Sequence, residues 1–184
     1  MGSRLLVPPS VEPVSVAEQK AFMRVEIADE DALTASFITA ARQAVESITG
    51  RALITQQWLA TFESSRRTGR RLELPVTPVR AVESVIVDGV ALDKSAYVAD
   101  IVSEPGTITL PKMCWKTAEV TFTCGYGASA TDVPEALRLA IKLMAGHWSE
   151  NRLAVSDASH AKFEELPMGV RYLLATYRLW GRAL

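Results

Sequence analysis

Between residues 118 and 150 the apolar period changes from two to 3.6 across a pair of glycines. Ala118-Glu119-Val120-Thr121-Phe122-Thr123-Cys124 alternates as a half-buried strand does, and Gly125-Tyr126-Gly127 interrupts it. Asp132-Val133-Pro134-Glu135 then opens a helix with Leu137, Ala140, Ile141, Met144 and Trp148 on one face, running out near His147-Trp148-Ser149-Glu150-Asn151-Arg152. Gly125-Tyr126-Gly127-Ala128-Ser129-Ala130 also fits the G-x-G-x-x-A spacing of dinucleotide sites. That fingerprint needs a second parallel strand with an acid after the helix, and polar sequence follows instead. The glycines are therefore read as relieving backbone crowding where the strand becomes a loop.

Upstream the periods come in the reverse order. Residues 1–14 hold Pro8, Pro9 and Pro13, which fix backbone angles and remove donors, so this stretch is an extended arm lying along a neighbour or the protein's own surface. Ser15 with Glu18 forms a capping box opening a helix to about Val25. Asp29 can cap a second helix, in which Leu33, Phe37, Ala41, Val45 and Ile48 recur at helical spacing, widened by Ala40 and Ala44. Gly50 ends it, since glycine reaches the left-handed cap conformation without strain.

From Leu53 to Phe62 the pattern is that of a strand, with Ile54, Trp58, Ala60 and Phe62 on the same side as Gln56. Residues 64–71 form a polar loop, and Leu72-Glu73-Leu74 is expected to return as the partner of that strand before Pro75 and Pro78. Val82 to Val87 ends in Asp88-Gly89, a two-residue turn signal because both positions tolerate positive φ. Short strands follow at 97–100, 107–110 and 119–123. Residues 153–165 carry mixed sequence, and a last helix from about Pro167 to Trp180 puts Val170, Leu173, Leu174, Tyr177 and Trp180 on one face.

Strands that follow one another without crossover helices cannot pair in parallel, so the expected fold is α+β: a helical scaffold with an inserted antiparallel β-rich region. The chain is expected to be a single domain over 1–184, with an arm at 1–14, helices over 15–50, the β-rich insertion at 53–126, and helices at 132–152 and 167–182. Its 184 residues, 48% hydrophobic, suffice for a real core. Twenty basic against 21 acidic side chains give a net charge of -1, which lacks the overall basic balance of a protein gripping DNA by its phosphates. Cys114 and Cys124 read as reduced thiols, and no apolar run approaches the roughly 20 residues that span a bilayer, so a soluble protein made in the cytoplasm is expected.

A search for chemistry assigns no catalytic, cofactor-binding or metal residue. His147 and Glu150 share a helix face, but two ligands fall short of the three or four that zinc takes. Asp29, Glu30 and Asp31 suit a helix start, where the dipole favours carboxylates. Two cationic groups stand out. Arg66, Arg67, Arg70 and Arg71 could touch a phosphate backbone or an acidic partner, or keep a solvated loop soluble. Arg171, Tyr172, Tyr177, Arg178, Trp180 and Arg182 combine the residue types enriched at interface centres, or pack the last helix on its scaffold.

The order of several motifs resembles one family. Pro8-Pro9-Ser10-Val11-Glu12-Pro13-Val14-Ser15, Ser47-Ile48-Thr49-Gly50-Arg51, Ile54-Thr55-Gln56-Gln57-Trp58, the step from Leu72-Glu73-Leu74-Pro75 to Pro78-Val79, Val133-Pro134-Glu135, and Leu166-Pro167 to Tyr177-Arg178 are similar to the head-to-tail connector (adaptor) proteins of long-tailed bacteriophages, prophages and gene transfer agents. The resemblance covers about residues 7–180. It implies a structural virion protein, not an enzyme, assembled in the host cytoplasm and placed at the head-to-tail junction. It further implies a ring, typically dodecameric, whose isolated subunit can stay monomeric until a portal templates it. The partners implied are sister copies, the portal protein, a downstream tail-joining or stopper protein and duplex DNA passing through non-specifically, with no membrane and no cofactor. On this reading Arg171, Tyr172, Tyr177, Arg178, Trp180 and Arg182 face the portal, and Arg66, Arg67, Arg70 and Arg71 face the lumen or a neighbouring subunit. The rival readings are a small DNA-binding or packaging-regulating phage protein using Arg66 to Arg71, and a nucleotide enzyme using Gly125 to Ala130.

Overall fold

The computed structural model describes residues 2–25, 30–64, 70–111, 114–150 and 168–179. The protein is α+β, and its chain is shared between two interleaved units, Met1–Ser10 with Gly50–Ala128 and Val11–Thr49 with Ser129–Leu184. The asserted Asp29 cap, the 153–165 segment, Arg66, Arg67, Trp180 and Arg182 lie outside the described residues.

The first unit holds the strands β1 (Gly2–Val7), β2 (Gln56–Glu63), β3 (Arg71–Glu73), β4 (Val79–Val87), β5 (Val90–Ala91), β6 (Val98–Asp100), β7 (Thr107–Thr109) and β8 (Thr117–Cys124). All described pairings between these strands are antiparallel. They form a five-stranded sheet in the order β1-β2-β8-β4-β5 and a three-stranded sheet in the order β3-β7-β6. Alternation sets the faces: Trp58 pairs with Phe122, Ala60 with Val120 and Phe62 with Ala118, so the apolar sets of β2 and β8 share one side. Phe62, Phe122, Val85, Val87, Leu72, Leu74, Ile108, Leu110 and Trp115 make the core of this unit.

One expected pairing is corrected. β3 does not return against β2 but pairs with β7, Leu72 opposite Ile108. Both sides of β2 are already taken, by β8 and by the N-terminal arm, whose residues 2–7 form β1. The arm thus lies on the protein's own surface, and the β region contains two sheets rather than one. The turn after β4 matches expectation, with Asp88 at φ 49° and Gly89 at φ 82°.

The second unit contains α1 (Val16–Met23), α2 (Asp31–Thr49), α3 (Glu135–Glu150) and α4 (Met168–Ala175). The Ser15–Glu18 capping box is present: Glu18 N donates to Ser15 Oγ at 3.2 Å and Ser15 N donates to Glu18 Oε2 at 2.9 Å. α1 stops at Met23, two residues before the expected end, because Arg24 takes the left-handed conformation. α2 ends at Gly50, φ 73°. Asp132 caps no long helix. Its carboxylate accepts from Ser129 N at 2.9 Å within a separate 3-10 turn, and Pro134 O accepts the first bonds of α3.

The buried stripe of α2 is displaced from the apolar stripe of the sequence. Thr34, Ile38, Ala41, Arg42, Val45 and Thr49 point inward, while Leu33 and Ala40 are exposed. Arg42 turns inward with them, its side chain only 7% exposed: Nε donates to Glu12 Oε2 at 2.8 Å and Nη1 to Glu46 Oε2 at 2.6 Å. Arg138 grips the same linker from α3, donating to Pro13 O at 2.9 Å and to Glu18, with Val14 fully buried between such contacts in sequence. Paired charges therefore fasten residues 12–18 to the helices, and Leu137, Ala140, Ile141 and Met144 complete the apolar core as their spacing predicts. Trp148 is half-buried.

Candidate functional site

The glycine motif resolves into a backbone crossing. Gly125 has φ 125°, and a Cβ there would lie 2.5 Å from Ile54 O. Thr55 N donates to Gly127 O at 2.8 Å and Tyr126 N to Leu53 O at 3.1 Å, so the two segments are laced together. The motif's close approach is spent on protein backbone. Among the described residues no group of three or more His, Cys, Asp and Glu side chains is placed to hold a metal ion, and no helix is long and apolar enough to cross a membrane. Cys114 is exposed, Cys124 is buried, and neither is in a disulfide.

The described members of the two cationic groups sit on different units. Arg70 and Arg71 are exposed at the start of β3, and the Arg71 charge adds a little to the Ser103 and Val102 hydrogen bonds that hold the Asp100 carboxyl low. Arg171 is exposed on α4, beside Tyr172 at 76% exposure. Tyr177 and Arg178 are half-buried in the turn after α4, which Leu179 anchors by donating its N–H to Thr49 O at 3.2 Å. Val170 and Leu174 are the buried face of that helix. The helical face thus divides as its period predicts, leaving Arg171 and Tyr172 outward.

Surface features that residue typing missed are apolar. Among the described residues of the first unit the exposed large apolar side chains are Leu5, Leu6 and Val7 on β1, and Val90, Val98, Ile101 and Val102 along the segment from β5 to the loop after β6. The signal available in the sequence was adjacency: Leu5-Leu6-Val7 and Ile101-Val102 place apolar residues next to one another, so no alternating arrangement can bury them all.

Four carboxylates are held low in pKa by local donors. Asp88 is depressed first by the Thr117 and Lys116 backbone N–H groups, which donate to Oδ1 at 2.8 and 2.9 Å. Glu18 is held low first by the Ser15 backbone N–H, Asp93 by that of Ser95, and Asp100 by the Ser103 hydroxyl. A carboxylate whose folded pKa lies below its unfolded value contributes stability above about pH 4, and that contribution is lost as pH falls through the folded value. Asp88→Asn keeps the tolerance for positive φ and removes the charge. Its acid-unfolding transition, followed by circular dichroism, is expected to be shallower than that of the parent below about pH 4.

Exposed arginine and aromatic side chains such as Arg171 and Tyr172 are of the residue types enriched at protein–protein interfaces. A family model described as head completion protein matches residues 12–179. Three solved structures match over 100% of this chain and 98% of theirs: the virion of a native gene transfer agent particle (24% identity, TM-score 0.78), the neck of an empty particle computed with C6 symmetry (28%, 0.75) and the neck of a native particle computed with C12 symmetry (25%, 0.74). No curated protein matches the chain. The chain belongs to the head completion protein family. It is a structural protein of the virion's head-to-tail junction, not an enzyme.

Proposed function

We propose that the protein forms the ring that joins the capsid portal to the tail and lets DNA pass through its centre. The observation that carries this reading is the likeness, over nearly the full length of both chains, to a protein in a neck computed with C12 symmetry. Side-by-side copies related by rotation make a heterologous contact that closes. A net charge of -1 suits a conduit, because a strongly basic subunit would add affinity for phosphates and retard sliding. In this arrangement Arg171, Tyr172, Tyr177, Arg178, Trp180 and Arg182 meet the portal, Arg66, Arg67, Arg70 and Arg71 face the lumen or a neighbour, and a tail-joining or stopper protein binds below.

Electron microscopy of the protein mixed with its cognate portal is expected to show stacked rings. Monomers that never join the portal would overturn the proposal. Tyr172→Ala is expected to weaken portal binding by roughly tenfold or more, as the loss of an aromatic anchor does, with the thermal midpoint unchanged because the side chain is exposed.

A further inference from the structure

Of the sheet edges in the first unit, one is unlike the others. β5 has two residues, and β3 and β6 have three each with charged members Arg71, Glu73 and Asp100. Short, charged edges resist pairing with foreign strands. β1 is six residues long, all exposed, with Leu5, Leu6 and Val7 in sequence and Arg4 as its one charge. A long apolar edge of this kind is a pairing and aggregation hazard unless something covers it.

Among the described residues the unit's remaining exposed large apolar side chains lie on the segment from Val90 to Val102, with Val90 at 65%, Val98 at 68% and Val102 at 90% exposure. In the five-stranded sheet β1 and β5 are the opposite edge strands, while Val98, Ile101 and Val102 lie on or just after β6, an edge of the three-stranded sheet. The loop that presents Val102 is held in shape before any partner arrives. Asp100 accepts from Val102 N at 3.1 Å, Ser103 N at 3.0 Å and Ser103 Oγ at 2.6 Å, and Arg51 makes a two-pronged pair with Glu104 at 2.9 and 2.5 Å. A preformed loop gives up little freedom on docking. Charge also matches: the arm carries Arg4, whereas residues 88–104 carry Asp88, Asp93 and Asp100 against Lys94, with Glu104 already paired with Arg51.

We infer that the β1 edge of one copy seats the Val90–Val102 segment of the next, so that Leu5, Leu6 and Val7 meet Val98, Ile101 and Val102 around the ring. A heterologous ring contact requires two different patches that complement one another. A self-complementary contact between like patches would stop at a dimer. The inference rests on the ring proposed above and names the surfaces that close it.

The test places a photo-reactive amino acid at Val102 in the full chain and irradiates rings assembled on the cognate portal. The expected product is a conjugate of two copies whose cross-link maps to residues 2–7. A cross-link mapping elsewhere, or to another virion protein, from particles that do form rings would overturn the inference while leaving the ring intact. Failure of the parent protein to form rings would remove the reading beneath it. As a second measurement, Leu6→Lys with Val7→Lys is expected to leave the circular dichroism and thermal midpoint of the free subunit unchanged and to abolish rings on the portal. Assembly of this variant at parental yield would also overturn the inference.

Discussion

Gly125→Ala is expected to lower stability by roughly 3 kcal/mol, a fall of roughly 10 °C in thermal midpoint for a chain of this size. Two terms add. At φ 125° an L side chain is strained before it meets any neighbour. Its Cβ would then stand 2.5 Å from Ile54 O, 2.7 Å from Ile54 C and 2.8 Å from Thr55 N, all backbone atoms. That backbone cannot withdraw cheaply, because Gly125 N donates to Pro78 O at 2.9 Å, Tyr126 N to Leu53 O and Thr55 N to Gly127 O. Gly169→Ala is the control. It lies in α4 with nothing within 4 Å of the added methyl, so stability should hold or rise by about 0.5 kcal/mol. Differential scanning calorimetry of the pair decides: equal midpoints for the two variants would show that the crossing at Ile54 has slack.

Arg42→Ala is expected to destabilise the helical unit by roughly 2 kcal/mol. Removing one member of a fully buried charge pair typically has a larger effect, but Glu12 and Glu46 retain 30% and 15% side-chain exposure, so water screens part of the loss. Glu12 would keep only Thr39 Oγ1, at 3.0 Å, of its present side-chain donors. Arg42→Met retains most of the apolar stem and separates packing from charge. Recovery of stability in the methionine variant, measured by urea unfolding, would show that burial of the stem outweighs the ion pairs.

Much of the fold was legible because local chemistry and tertiary context agree. Ser15 with Glu18, Gly50 after α2, Asp88-Gly89 after β4 and the 137–144 stripe of α3 are each fixed by neighbours within a few residues. What failed was non-local. The partner of β2 lies in residues 2–7, some 50 positions away, and an arm of Leu5-Leu6-Val7 carries no signal of which edge it will cover. The α2 stripe was misplaced because Arg42 is read as a surface residue until Glu12 and Glu46 are known to neutralise it. In the last helix the period made the exposure of Arg171 and Tyr172 legible, but not the half-burial of Tyr177 and Arg178 in the turn beyond it. The apolar patches were not, since exposure depends on what the rest of the chain leaves uncovered.

In the five-stranded sheet the strand made last, β8, occupies the middle position. During synthesis β1 and β2 on one flank, and β4 and β5 on the other, have no strand between them until residue 124 has left the ribosome. The sheet must then close in one late, long-range event, which favours slow and cooperative folding. A nascent subunit cut short anywhere upstream lacks the strand that joins its two margins, so an unfinished copy cannot complete the sheet.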